Sequence, residues 1–253
     1  MNMQNLRGNI GRTLTNRIGG AVAAVGAAIF LALCGALMAF VLAPGQAVKA
    51  ANIEKMPQMD AAYVSSAAPG TDILITGYVN GSAPNPQLPD FIAYDVEQWE
   101  VSETKNTDGT PQAPSGSWQH VETVVPELTL DMSGTPITLL SVNNAMLTGS
   151  NLHEQLVPKS SAFTADYEGQ KLGEGSLRYK GFFNGDLVTI LGKKSSGDEV
   201  VPEELFTGDR AAYEQYQKDS AKALLFMGFA AMICSPFIAI SGIVSALLGR
   251  GRR

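Results

Sequence analysis

The stretch IGGAVAAVGAAIFLALCGALMAFVLA, Ile18–Ala43, contains no charged residue, and its reading decides the architecture of the chain. A second stretch of the same kind, ALLFMGFAAMICSPFIAISGIVSALLG, occupies Ala223–Gly249. As a helix rising ~1.5 Å per residue, either one covers roughly 39 Å, more than the ~30 Å hydrocarbon core of a bilayer. All 24 acidic residues lie between the two, from Glu54 to Asp219, with 12 of the 18 basic ones, a formal charge of about −12. The expected fold class is a membrane protein in which two transmembrane helices flank a mainly β (β-rich, α+β) extracytoplasmic domain.

Outward from the spans, the two tails carry only positive charge: Arg7, Arg12 and Arg17 on one side, Arg250, Arg252 and Arg253 on the other. Basic residues next to a span stay cytoplasmic, so both termini are expected inside and the central domain outside, periplasmic or extracellular, for a protein integral to a bacterial cytoplasmic membrane. The expected division is a basic tail at 1–17, a first span at 18–43, a linker at 44–69, a β-rich domain at 70–208, a helical stalk at 209–222, a second span at 223–249 and a basic tail at 250–253. A cleaved signal peptide is the competing reading, with Val48-Lys49-Ala50 as the cut. The apolar run is far longer than a signal core, so an uncleaved anchor is expected, ending at Pro44-Gly45. Leu31-Ala32-Leu33-Cys34 fits a lipoprotein signal poorly, because Leu33 is large.

The only cysteines, Cys34 and Cys234, fall in the spans at similar depth. That leaves a disulfide open beside the simpler reading of two small packing residues. The exported domain must then rest on its apolar core, which a chain of this length can build without staples.

Within the first span Gly20, Ala24, Ala28, Ala32 and Ala36 recur every four residues, with Ala23, Ala27, Gly35 and Ala39 on an adjacent face. Small residues at this spacing let another helix backbone approach, and the simplest partner is the second span, whose Ala231, Ser235 and Ala239 make a shorter stripe. Pro236 is expected to kink the second span near Met232, whose carbonyl loses its donor.

Between the spans the period changes to two. Asp72–Val79, Phe91–Thr104, Trp118–Val125, Leu128–Met132, Ile137–Val142, Ser161–Tyr167, Gly173–Phe183 and Asp186–Lys193 read as strands, with turns at Ser133-Gly134-Thr135-Pro136 and Asn184-Gly185. Asn106–Ser117 reads as a loop. Asn143–Lys159 reads as irregular, with a short helix at Leu152–Leu156. After Glu203–Thr207, one continuous helix is expected from about Arg210 through the second span, and Val48–Pro69 as a polar, Ala-rich linker.

Chemistry is thinly represented. His120 and His153 are the only histidines and the domain has no cysteine, so no metal site is expected. No Gly-x-Ser-x-Gly elbow, Walker loop or dinucleotide fingerprint occurs, and Gly173-Glu174-Gly175 lacks the third glycine. No catalytic residue and no cofactor are expected. Asp198, Glu199, Glu203 and Glu204, with Glu97, Glu100 and Glu103, read as a solubilising surface, and Trp99, Trp118 and Phe182-Phe183 as core. A charge of this sign disfavours nucleic acid and anionic headgroups.

The order of segments resembles the GIDE domain of mitochondrial membrane E3 ubiquitin ligases and of prokaryotic two-span proteins. The resemblance lies in Gly77, Phe91-Ile92-Ala93-Tyr94 leading to Glu97 and Trp99, Trp118, Pro126-Glu127-Leu128-Thr129-Leu130-Asp131, the Gly181–Gly192 run and Leu205-Phe206-Thr207-Gly208 before a membrane helix. It implies a β-rich domain between two helices. The ligases carry a zinc-binding RING after their second span, and no cysteine follows Cys234 here, so ligase activity is not expected. The function expected is that of a non-enzymatic anchored interaction or scaffold protein whose partners are other membrane or envelope proteins and the lipid bilayer. Two alternatives stand beside it: an accessory subunit of a respiratory or photosynthetic membrane complex, and an envelope hydrolase using His120 or His153.

Overall fold

The computed structural model describes residues 3–103 and 112–248, with side chains from 19 to 245 among them. The arginines of both tails, by side chain, and residues 104–111 of the expected loop lie outside the described part. The chain divides into two units: a helical one from residues 1–55 and 215–253, and a β one from residues 56–214.

In the helical unit, α1 (Met3–Leu37) runs through a π-helical turn, Met38–Leu42, into α2 (Ala43–Lys55) without interruption. This corrects the expected stop at Pro44-Gly45 and the linker at 44–69. The π turn supplies the reason. The Ala43 N–H reaches back five residues to the Met38 carbonyl, and this wider turn accommodates the Pro44 ring and its missing N–H, which would break a regular α-helix. The second long helix, α4 (Arg210–Leu248), is continuous as expected and contains Pro236. Gly19–Lys55 and Arg210–Ser245 are both long and apolar enough to cross a membrane.

In the β unit, Asp60 opens a short helix, α3 (Ala61–Ser66), by accepting the Tyr63 N–H at 2.8 Å. Among the described residues twelve strands follow: β1 (Asp72–Asn80), β2 (Phe91–Ser102), β3 (Ser115–Val124), β4 (Leu128–Met132), β5 (Thr135–Leu139), β6 (Met146–Thr148), β7 (His153–Val157), β8 (Thr164–Tyr167), β9 (Gln170–Gly173), β10 (Leu177–Phe183), β11 (Leu187–Lys194) and β12 (Glu199–Thr207). The helix expected at Leu152–Leu156 is instead β7. It pairs antiparallel with β10, Leu156 opposite Arg178 and Glu154 opposite Lys180, and those cross-strand partners outweigh its local propensity.

Strands β1, β4, β5, β12 and β11 close on one another in that order into a five-stranded barrel, with β5 and β12 parallel and the other pairs antiparallel. This is a small Greek-key closure of the OB type, an architecture that by itself assigns no function. Two insertions, β2–β3 and the stretch containing β7 and β10, meet in a second sheet ordered β3-β2-β10-β7. Ile73, Ile75, Val79, Leu130, Ile137 and Ile190 fill the barrel, and Ile92, Ala93 and Phe182 of the second sheet join the same core. Each buried Val, Leu, Ile or Phe among them contributes about 1.5–3 kcal/mol. The β4–β5 turn is two residues, Ser133 (φ 56°) and Gly134 (φ 91°), the twist a tight hairpin requires. Tyr213, in the first turns of α4, is fully buried and donates its hydroxyl to Glu204 at 2.9 Å. Glu204 also accepts from Thr148 at 3.1 Å, so this carboxylate is an interior group and not part of a solubilising surface.

Candidate functional site

The small residues of the two long helices come together within the helical unit. A Cβ placed on Gly35 would lie 2.6 Å from the Gly228 carbonyl oxygen and 3.0 Å from the Ala231 Cβ. One on Gly228 would lie 2.7 Å from the Ala39 nitrogen, and one on Gly242 2.2 Å from the Ala24 Cβ. The helices therefore run antiparallel with their backbones nearly touching. Of the residues singled out in the sequence, Ala24 faces Gly242, Ala28 and Ser235 are buried, Ala231 faces Gly35, and Ala32, Ala36 and Ala239 are half-buried. Gly20 is exposed, with no atom within 4 Å of where its Cβ would be.

Sequence reasoning missed Gly228 and Gly242, although a signal existed: Ala221, Gly228, Ser235 and Gly242 recur every seven residues, the spacing of a continuous helix–helix seam. On the other helix the buried positions Ala28, Gly35, Ala43 and Ala50 keep that repeat, except for one extra residue between Gly35 and Ala43, with Ala39 buried midway between those two. The π turn falls there. Its wider winding absorbs the extra residue and keeps Ala43 and Ala50 on the face that carries Ala28. Beyond the apolar stretch the pair continues through polar groups, Gln46 donating to Gln217 and Lys218 meeting Glu54 at 3.1 Å. Cys34 and Cys234 are unpaired.

On the β unit a cleft of about 560 Å³ opens on the outer side of β1. Asp60, Thr76, Met132, Asp209, Arg210 and Glu214 help line it. Arg210 is committed within its own surroundings: it donates to Glu214 at 2.7 Å, to the Pro57 carbonyl at 2.8 Å and to the Met56 carbonyl at 2.6 Å. One guanidinium thus ties Met56 and Pro57 to the first turn of α4, all within the β unit. Asp209 caps α4, accepting the Ala212 N–H at 2.8 Å. Thr76 lies 2.8 Å from the Thr189 hydroxyl, which itself donates to the Gly208 carbonyl, so the Thr76 proton points at Thr189 and its lone pairs remain. The lining is rich in acceptors, and its chemical complement is a donor or a cation.

His120 and His153 do not converge. His120 lies on β3 and His153 on β7, the opposite edges of the second sheet, with β2 and β10 between them. His153 stacks on Phe183 (3.8 Å, 1°), its Nε2 3.2 Å from an Asp186 oxygen. Trp99 and Trp118 face each other across β2 and β3 and, with Tyr167, form an aromatic cluster capped by Arg178, 4.4 Å above the Trp118 ring. Arg178 also binds Glu97 at 2.7 Å and the Tyr167 hydroxyl at 2.9 Å. Phe182 sits in the barrel core. Among the described residues no three His, Cys, Asp or Glu side chains are placed to hold a metal ion.

Asp95, on the same sheet face, carries a predicted pH effect. Burial holds its carboxyl above the usual carboxylate range, against the hydrogen bond from Thr123 at 2.5 Å and the charges of His120 and Lys180. A carboxyl whose folded pKa exceeds its unfolded one binds its proton more readily in the fold. Its ionised form therefore weakens the fold at neutral pH, and the loss vanishes once the pH falls below the unfolded value. Asp95→Asn keeps an oxygen for Thr123. It is expected to raise the melting midpoint at pH 7 by about 1–3 °C and to leave it unchanged below about pH 3.5, as calorimetry at the two pH values would read.

Comparison with known proteins finds no matching family model, no matching curated protein and no matching solved structure.

Proposed function

We propose that this chain is a non-enzymatic, membrane-anchored interaction protein. The paired helices lie in the bilayer, and the acidic β unit stands on the side opposite the arginine tails. One observation carries the anchoring: the faces that the pair turns outward are clad in large apolar side chains. Val22, Phe30, Leu33, Phe226, Ile233 and Phe237 are each more than 60 % exposed. Single exposed apolar residues are ordinary on a soluble surface, but a continuous cladding of this kind needs an apolar surrounding. The charge arrangement supports the orientation with both termini cytoplasmic, in the manner of the GIDE-type two-span proteins.

With the small-residue seam used within the chain, the surface left for a protein partner is the β unit, where the acceptor-lined cleft offers a concave place for a cationic group. An accessory subunit of a larger membrane complex is one form of the same reading. The test is native electrophoresis after mild solubilisation of carbonate-washed membranes, with reporters fused to the C-terminus. The chain should stay with the membrane, a C-terminal reporter should be active only in the cytoplasm, and the protein should migrate well above its 26.8 kDa plus detergent. Release by carbonate overturns the anchor, and a lone monomer overturns the partner.

A further inference from the structure

Proline has no N–H, so the carbonyl four residues before Pro236, that of Met232, loses its regular α-helical donor, and yet α4 continues without a break. The Ser235 hydroxyl donates to that same carbonyl at 3.0 Å. Ser235 is 7 % exposed, so water is not at hand to replace it, and an unpaired buried carbonyl is costly. The chain contains its own control. Ser241 makes the same bond three residues back, to the Ile238 carbonyl at 2.9 Å. There the residue four positions on is Gly242, which has an N–H, so the Ile238 carbonyl needs no substitute donor.

We propose that Ser235 and Pro236 form a hydroxyl-latched hinge in α4, in which the serine supplies the donor that the proline removes. With the latch closed, the helix passes through Pro236 with the Met232 carbonyl paired. Gly228 and Gly242, on either side of it, both stay against the first helix, at Ala39 and Ala24. With the latch open, α4 bends between Met232 and Pro236, and one of those two close contacts is given up. Ser235 is thus a positioning residue for the helical pair. The inference concerns the helical pair and holds whether or not it lies in a bilayer.

The test is a double-mutant cycle on the full chain in detergent micelles: the parent, Ser235→Ala, Pro236→Ala and both together, with Ser241→Ala alongside. Unfolding of the helices in a denaturing detergent gives the folding constant, and hydrogen exchange over residues 229–240 reports local opening. Ser235→Ala should lower the folding constant about tenfold when Pro236 is present and less than about twofold when residue 236 is alanine, because the restored N–H takes over the carbonyl. Ser241→Ala should change it less than about twofold. An equal loss in both backgrounds, or none in either, overturns the proposal. Should Ser235→Ala fail to fold, recovery on adding Pro236→Ala supports the latch, and failure to recover overturns it.

Discussion

Gly228→Leu is expected to part the two long helices. A Cβ at this position would lie 2.7 Å from both the Ala39 nitrogen and the Gly35 oxygen, and 2.8 Å from the Ala39 Cβ. Two of these three are backbone atoms, which cannot swing aside as the end of a side chain can. The helices must separate, and that separation also loosens the Gly35 contact with Ala231 and the seam towards Gly242 and Ala24. Overpacking a tight contact costs about 1–3 kcal/mol, and a leucine against backbone belongs at or above the upper end. Denaturing-detergent titration of the full chain should show the loss, with Gly228→Ala intermediate. Gly20→Leu, where no atom lies within 4 Å, should show none. Equal midpoints for the two leucine variants would mean that Gly228 is not where the helices meet.

The contrast between Gly20 and Gly228 shows what was legible in the sequence of the helices. A four-residue stripe was visible from Gly20 to Ala36, and much of it does face α4. But the stripe drifts around a helix with 3.6 residues per turn, so its start at Gly20 turns away while Ala28 is buried. The seven-residue repeat of Ala221, Gly228, Ser235 and Gly242 is the truer signature of the seam, because seven residues bring an apposed helix back to nearly the same face. Pro44-Gly45 read as an end because the rule against proline in a helix assumes α-helical winding. Whether a π turn will relieve it depends on tertiary contacts, here those of Ala39 with Gly228, which no local window contains.

In the β unit the short strands rich in apolar and β-branched residues, such as β1, β4 and β11, were readable. So were the turns at Ser133-Gly134 and Asn184-Gly185, because both signals are local. Barrel closure was not readable. It rests on the parallel pairing of Glu199 and Val200 with Thr138 and Leu139, some sixty residues away. β7 was missed for a related reason: His153–Val157 has little apolar content, and its exposed edge position asks for none. The cleft on β1 was equally out of reach, since Asp60, Thr76 and Asp209 come from three distant segments and two of them first serve as helix caps. The interior role of Glu204 followed the same pattern, its partners Thr148 and Tyr213 being set by tertiary packing.

Gly181→Ala should be among the most damaging single changes in the β unit. The added Cβ would lie 2.0 Å from the Ala93 oxygen, 2.7 Å from the Tyr94 Cα and 2.8 Å from the Tyr94 Cβ. Gly181 sits inside β10, which pairs with β2 on one side, Gly181 opposite Tyr94, and with β7 on the other, opposite His153. Moving β10 away from β2 presses it into β7, so the clash has no inexpensive exit. The next residue, Phe182, is fully buried in the core that joins the second sheet to the barrel, so any shift of β10 also pulls on that core. A loss of about 4 kcal/mol or more is expected, a large part of the ~5–15 kcal/mol that holds a domain together. Gly134→Ala separates steric clash from backbone strain: Gly134 has φ 91° but nothing within 4 Å of its Cβ position, and its cost should stay near 1–2 kcal/mol. Calorimetry of the two variants should then differ by several degrees. If Gly181→Ala melts no lower than Gly134→Ala, β10 does not approach β2 as closely as the structure has it.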